Sequence, residues 1–214
     1  MNASPSWAFS DDITELYFES EDHLNRVFQS SWVREKVGPD GANFSDLGAS
    51  LPVTVQETPV PLHGSTSPEN NDPLSVSLVA MYFISGAADH FKTNELVSGF
   101  AESLQRLASN QVRALVANIP VDLSFDADSY FGSRAGRPRF DLVLAIHLRN
   151  QEGVPGVRRA QNDFEVAYES HLNLESCWIA FGRRALLFDQ DLGIKVCSEN
   201  STISDACAHI MNTV

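Results

Sequence analysis

Cysteine is scarce in this 214-residue chain: Cys177, Cys197 and Cys207 stand far apart and form no CxxC spacing. An odd count outside a secretory context reads as reduced thiols in a cytosolic protein, so a cytoplasmic location is expected. Basic residues are also few, 15 Lys and Arg against 28 Asp and Glu, giving a net charge of −13 and a pI near 4.7. That charge disfavours general affinity for nucleic acid or anionic membrane, since both would be repelled. No stretch approaches transmembrane length, and Met1–Asp12 has neither the basic start nor the apolar core of a signal peptide. Several chemical signatures are missing too. No GxGxxG follows a strand, and there is no Walker loop, HExxH or GxSxG elbow. No group of Cys, His and carboxylates has metal-ligand spacing. A nucleotide, flavin or zinc enzyme is disfavoured, and neither cofactor nor metal is expected.

What remains is an ordinary globular balance, 43% hydrophobic and 20% charged. Ile13 to Glu19 alternates and predicts a strand. Ser20 is a good N-cap before Glu21 and Asp22, and Leu24, Val27, Phe28 and Trp32 recur at helical spacing. That helix runs to about Val37 and ends at Gly38-Pro39-Asp40-Gly41. Leu51 to Glu57 reads as an edge strand. The proline-rich stretch from Pro59 to Pro73 is the best linker.

Beyond it, Val76–Ile84, a helix after Thr93 with the stripe Leu96, Phe100, Leu104 and Leu107, Val112–Val121, Phe140–Arg149, a helix through Phe164 and Tyr168, and Cys177–Phe188 follow in turn. A long loop, Asp122 to Pro138, separates two of the strands, and a small helix near Asp205 to Met211 is expected in the tail. The order is β-α-β-β-α-β, the split βαβ or ferredoxin-like order. The fold class is therefore α+β: a β-α-β half-module over residues 1–60, a linker at 61–73, a full βαββαβ module at 74–190 and a tail at 191–214. The first unit matches the second half of the later one, as a weak internal repeat.

Ile13-Thr14-Glu15-Leu16-Tyr17-Phe18, Val37-Gly38-Pro39-Asp40, Asn43-Phe44-Ser45-Asp46 and Val53-Thr54-Val55-Gln56-Glu57 together resemble the closing half of an EthD domain. The resemblance spans about Asp11 to Glu57; the later module shares only the element order. It implies the dimeric α/β-barrel superfamily, in which two four-stranded sheets pack face to face, within a chain or between chains, and enclose a cleft. Relatives implied by that fold include cofactor-free monooxygenases, decarboxylases and cyclases of aromatic polyketides, and members without known activity.

Strand alternation divides the faces of Phe140–Arg149. Phe140, Leu142, Leu144, Ile146 and Leu148 should meet the helices, leaving Asp141, Val143, Ala145, His147 and Arg149 toward the cleft. In the first strand, Leu16 and Phe18 should face the helix, with Glu15 and Tyr17 opposite. His147 is the first catalytic candidate, because an imidazole titrates near neutral pH; the alternative is a strand-end histidine bonded to a neighbour. Glu15 and Tyr17 form the second pair, able to orient a hydroxylated aromatic, unless they only make a solvated face or dimer contact. Tyr82, Asp141 and Arg149 are candidate substrate-binding residues, although an ion pair with a nearby arginine equally suits Asp141. His171 reads as a core residue, and His63 and His90 as solvated. Between Arg134 and Arg159 stand six arginines and two acids, a cluster that either binds an anion or balances acidic neighbours.

Two functions follow. One is a cofactor-independent, EthD-like oxidoreductase, or a decarboxylase or cyclase, acting on a small aromatic or polyketide-like substrate in a cavity lined by Glu15, Tyr17, Tyr82 and His147. The other is a non-catalytic protein that binds a ligand or dimerises, its cleft filled by its own side chains. Expected partners are a small molecule and a second copy, or intrachain sheet pairing in place of that copy.

Overall fold

The structure is a computed structural model that describes residues 13–41, 43, 50–62, 77–87, 92–123, 139–184, 188–189 and 194–195. Five strands form one antiparallel sheet: β1 (Val55–Val60), β2 (Ser77–Ile84), β3 (Val112–Pro120), β4 (Leu142–Leu148) and β5 (Trp178–Arg184). Their spatial order is β1-β3-β4-β2-β5. A separate pair, β6 (Phe188–Asp189) and β7 (Ile194–Lys195), follows. The fold is thus α+β, and the expected β-α-β-β-α-β order is observed from Ser77 to Arg184.

Topology places both long helices on one face. The helix α3 (Thr93–Ala108) carries the chain from β2 to β3, and α4 (Val154–Ala167) from β4 to β5. Each crossover spans one intervening strand. Leu96, Phe100, Leu104 and Ala108 recur every four residues on α3, and Val157, Ala160 and Phe164 line α4. They meet Ala80, Tyr82, Ile84, Leu142, Leu144, Ile146 and Leu148 from the sheet. At the centre, the Tyr82, Phe100 and Phe164 rings lie 5.4–6.2 Å apart in tilted and edge-on contacts. Small residues set the helix spacing. A methyl at Gly99 would overlap the Tyr168 ring, and one at Gly156 would meet Ala108 and the Gln111 side chain. The pattern is that of antiparallel helices packed closely along their length.

The opposite face is also apolar. Val79, Met81, Phe83, Val143 and Ala145 are buried there, with Leu51, Val53, Val116 and Trp178 packed against them. Phe83 and Trp178 stack at 4.5 Å and 7°. Phe140 joins this second cluster rather than the helix side expected for it. It precedes β4, so strand parity does not yet govern its direction.

The N-terminal region departs most from expectation. Residues 13–18 form no strand. Phe18 does turn toward the helix α1 (Glu21–Gln29), meeting Phe28 and His23, whereas Leu16 is 62% exposed. Ser20 caps α1 as expected, accepting from the His23 amide at 3.1 Å. The helical path then continues as a widened turn, Val33–Val37, and a short helix, α2 (Gly38–Gly41). Pro39 is tolerated in that first turn because its missing N–H is not needed there. The strand expected at Leu51–Glu57 lies at Val55–Val60 instead. It runs through Pro59, which an edge position tolerates. Residues 63–73 of the expected linker, most of the Asp122–Pro138 loop, Arg134, Arg137, His63, His90, Cys197, Cys207 and the tail helix lie outside the described residues.

Gly99→Ala should lower stability by about 1–3 kcal/mol, the cost of forcing volume into a packed contact. A methyl at Gly182, by contrast, would meet nothing within 4 Å. Gly182→Ala should therefore stay within about 0.5 kcal/mol of the parent. Urea unfolding midpoints compare the two.

Candidate functional site

Register assigns side chains to the second sheet face. His147 on β4 pairs with Val79 on β2 and Ala114 on β3. Val79 in turn pairs with Gly182, and Ser77 with Arg184, so Arg184 projects on the same side as His147. Asn118 and Glu57 sit opposite one another on β3 and β1 and share this face. A register shift between Val112 and Ala114 leaves Arg113 as the extra residue beside His147.

His147 is half-buried. Burial first, and then the positive charges of Arg184 and Arg113, push its pKa down to about 4. The imidazole is therefore neutral through the physiological range. The expectation that it titrates near neutral pH is corrected, because burial, and then two guanidinium groups, oppose its protonation.

Above this face lies a polar chain. The Tyr17 hydroxyl donates to Glu57 Oε1 at 2.8 Å and accepts from Arg184 Nη2 at 2.6 Å. Arg184 Nε also contacts Glu15 Oε2 at 2.9 Å, and its guanidinium sits 5.7 Å from the Tyr17 ring centre. Glu57 and Arg184 belong to the two edge strands, whose backbones are about 19 Å apart across four strand spacings in a flat sheet. One phenol thus links both edges through two long side chains. Burial of the hydroxyl, with Glu15 and Glu57 beside it, raises the Tyr17 pKa above that of an ordinary phenol, against the pull of Arg184. Tyr17 therefore stays protonated and acts as a hydrogen-bonding bridge. Near this chain the buried Asn118 carries an amide Nδ2 that meets no hydrogen-bond acceptor among the described residues.

Glu15, Tyr17 and His147 are thus gathered around Arg184. The other three candidates lie elsewhere. Tyr82 alternates with Val79, Met81 and Phe83 and points to the helix side, fully buried. Its hydroxyl donates to Glu165 at 2.9 Å, and Gln161 donates to the same carboxylate oxygen at 2.7 Å. It does not line a cavity with His147. Asp141 pairs with Arg139 at 3.3 Å and accepts from the Gly86 amide at 2.9 Å, which ties the start of β4 to the loop after β2. Arg149 is exposed beyond the other end of β4, roughly 26 Å away at the rise of an extended strand. Asp141 and Arg149 therefore do not pair. Cys177 contacts both backbone groups of Ser85, and burial pushes its thiol up to about 11, so it stays protonated. Among the described residues no group of three or more His, Cys, Asp or Glu could hold a metal ion.

Sequence reasoning missed Arg184, Glu57 and Asn118 as members of this face. Glu57 carried a signal, as the acid that closes the strand expected at Leu51–Glu57. Arg184 carried none, because its role depends on two sheet edges approaching the same phenol.

Between pH 4 and 6.5 the unfolded chain binds a proton at His147 that the folded chain does not. Stability should fall as pH drops through this window, by up to about 3 kcal/mol at its lower end. His147→Gln should flatten that part of the profile in urea unfolding at stepped pH. Tyr17→Phe removes the bridging hydroxyl and should speed amide exchange over residues 13–19 at least several-fold, leaving β2 and β4 unchanged. Hydrogen-exchange mass spectrometry reads both regions at once.

No helix among the described residues is long and apolar enough to cross a membrane. No curated protein matches the chain. A family model, the EthD domain, matches residues 1–48, which include Glu15, Tyr17 and α1.

Proposed function

We propose that this protein is an EthD-like, cofactor-independent enzyme of the oxidoreductase kind that binds a small hydroxylated aromatic or polyketide-like substrate on the second face of its sheet. The observation that carries the reading is the Arg184 guanidinium, shared by Tyr17 and Glu15 and close enough to His147 to depress its pKa. The EthD match over residues 1–48 supports the family. The order β5-β2-β4-β3, with a helix crossing over each inner strand, supports a ferredoxin-like unit of the dimeric α/β-barrel type. In this reading β1 extends the edge of that unit, and the N-terminal residues supply the rest of the half-module. The partner is a small molecule, with a second copy or the chain's own N-terminal half closing the cleft, and the compartment is the cytoplasm.

Proton transfer is the chemistry these groups offer. A phenol or enol oxygen placed beside Arg184 would gain stability as an oxyanion. Neutral His147 would accept the proton. An ordinary phenol pKa near 10 lies about 6 units above that of His147, a gap of about 8 kcal/mol. The same guanidinium charges that depress His147 also depress a bound phenol, so the gap narrows on binding. Tyr17, kept protonated and donating to Glu57, holds the Arg184 guanidinium in place for the substrate oxygen. The resulting electron-rich ring is then open to oxygen, or to loss of carbon dioxide or ring closure.

A second reading has its own support. Val79, Met81, Phe83, Val143 and Ala145 are each at most 9% exposed, and Leu51 and Val53 pack on them. A face filled by its own side chains suits a non-catalytic protein that binds a ligand or dimerises.

A panel of hydroxylated aromatics, followed by oxygen uptake and product mass, separates the two. Enzymatic turnover should fall at least about 100-fold in Arg184→Gln, the scale of one lost oxyanion donor. His147→Ala should lose about as much, in the range of general-base removal. Turnover unchanged in His147→Ala removes that residue from the mechanism. Absence of any turnover across the panel favours the binding protein.

A further inference from the structure

A second candidate site lies on the opposite side of the molecule. Between the outer surfaces of α3 and α4 runs an open groove of about 510 Å³. Arg106, Arg158 and Arg159 line it, with Asp163 as the one carboxylate. Three guanidinium groups against one acid give a local charge of +2 in a chain whose net charge is −13. Leu107 and Val166 supply apolar wall, and Val166 is 72% exposed.

The polar groups are arranged rather than scattered. Asp163 accepts from Ser103 at 2.7 Å and is ion-paired with Arg106, so its charge is already met from within the protein. Those two contacts hold its carboxyl below the usual range, and it stays ionised as a fixed strut between the helices. Arg158 lies over the Phe181 ring at 4.7 Å and donates to Gln161 at 3.0 Å, which fixes the plane of its guanidinium. Arg159, the next residue, is exposed and makes no hydrogen bond or ion pair among the described residues. A guanidinium with open donors beside two anchored ones is suited to a planar or tetrahedral oxyanion. The apolar wall adds a preference for an anion with a hydrocarbon body over a bare ion.

We propose that the α3–α4 groove is a binding site for a small organic anion, a carboxylate or phosphate monoester carrying a short apolar or aromatic group. Arg159 supplies the principal contact, Arg158 and Arg106 supply the field, and Leu107 and Val166 pack the body. The site shares no residue with Tyr17, Arg184 or His147, so it stands whether or not the sheet face is catalytic.

The full chain is titrated with phenyl phosphate by calorimetry, with backbone amide shifts recorded over α4. Inorganic phosphate, phenol and benzoate serve as comparison probes. Phenyl phosphate and benzoate should bind and shift amides from Arg158 to Val166. Inorganic phosphate should bind at least about 5-fold more weakly, and phenol about 10-fold, a difference of ~1.4 kcal/mol. Arg159→Gln, at an exposed position that does not threaten folding, should weaken phenyl phosphate about 10-fold. Arg149→Gln, an exposed arginine outside the groove, should change nothing. Affinity should also fall as salt rises, because the contact is charged and open to solvent. No saturable binding of phenyl phosphate or benzoate, equal binding in Arg159→Gln, or inorganic phosphate binding as tightly as its phenyl ester would each overturn the proposal.

Discussion

The two central strands are apolar on both sides, and most of the architecture answers that constraint. β2 and β4 present Ala80, Tyr82, Leu144 and Ile146 to one side and Val79, Met81, Val143 and Ala145 to the other. Such strands are stable only when both faces are covered. Two long helices cover the first face with interlocking aromatic rings. The second face receives irregular chain instead, through Leu51 and Val53. Residues 13–41 have little core of their own: Leu24 is their only large apolar side chain buried below one tenth. The N-terminal region is tied to the sheet through Tyr17 and Glu15, which meet Glu57 and Arg184.

The polar groups divide along the same line. On the helix side, Tyr82, Glu165 and Gln161 satisfy each other inside a packed layer, and Ser103, Arg106 and Asp163 tie the helices together. On the other side, Tyr17, Glu57, Arg184 and Glu15 lie at the surface of the apolar layer. Exposed pairs of that kind contribute little to stability one at a time. Their interest is chemical, since they place a positive charge and a protonated phenol near a neutral imidazole.

The sequence made the later module readable because two periods were strong there. Alternation along Leu142–Leu148 and the stripe Leu96, Phe100 and Leu104 each report one buried face, and Ala108 rather than Leu107 completes the helix stripe. The Tyr82 assignment failed because both parities of β2 are apolar, so alternation could not say which side the phenol takes. Ile13–Glu19 failed for another reason. Strand propensity describes a fit to a pleated, half-buried surface, and that segment meets no partner strand among the described residues. Its polar groups are claimed by Arg184 and Glu57, which lie far along the chain. Residue chemistry nominated Glu15, Tyr17 and His147, and the first two contact Arg184. Arg184 and Asn118 gain their roles only from the pairing of distant strands.

The Tyr17 bridge joins residues separated by 40 and by 167 positions. Closing loops of those lengths costs entropy that a single hydroxyl bridge does not repay, so the bridge forms only after the sheet has brought its edges into place. Local pairings such as the β3–β4 ladder come earlier. The bridge is thus a late contact on the folding path. Its strength governs how fast the N-terminal layer leaves the assembled sheet, and has little bearing on how fast the sheet assembles.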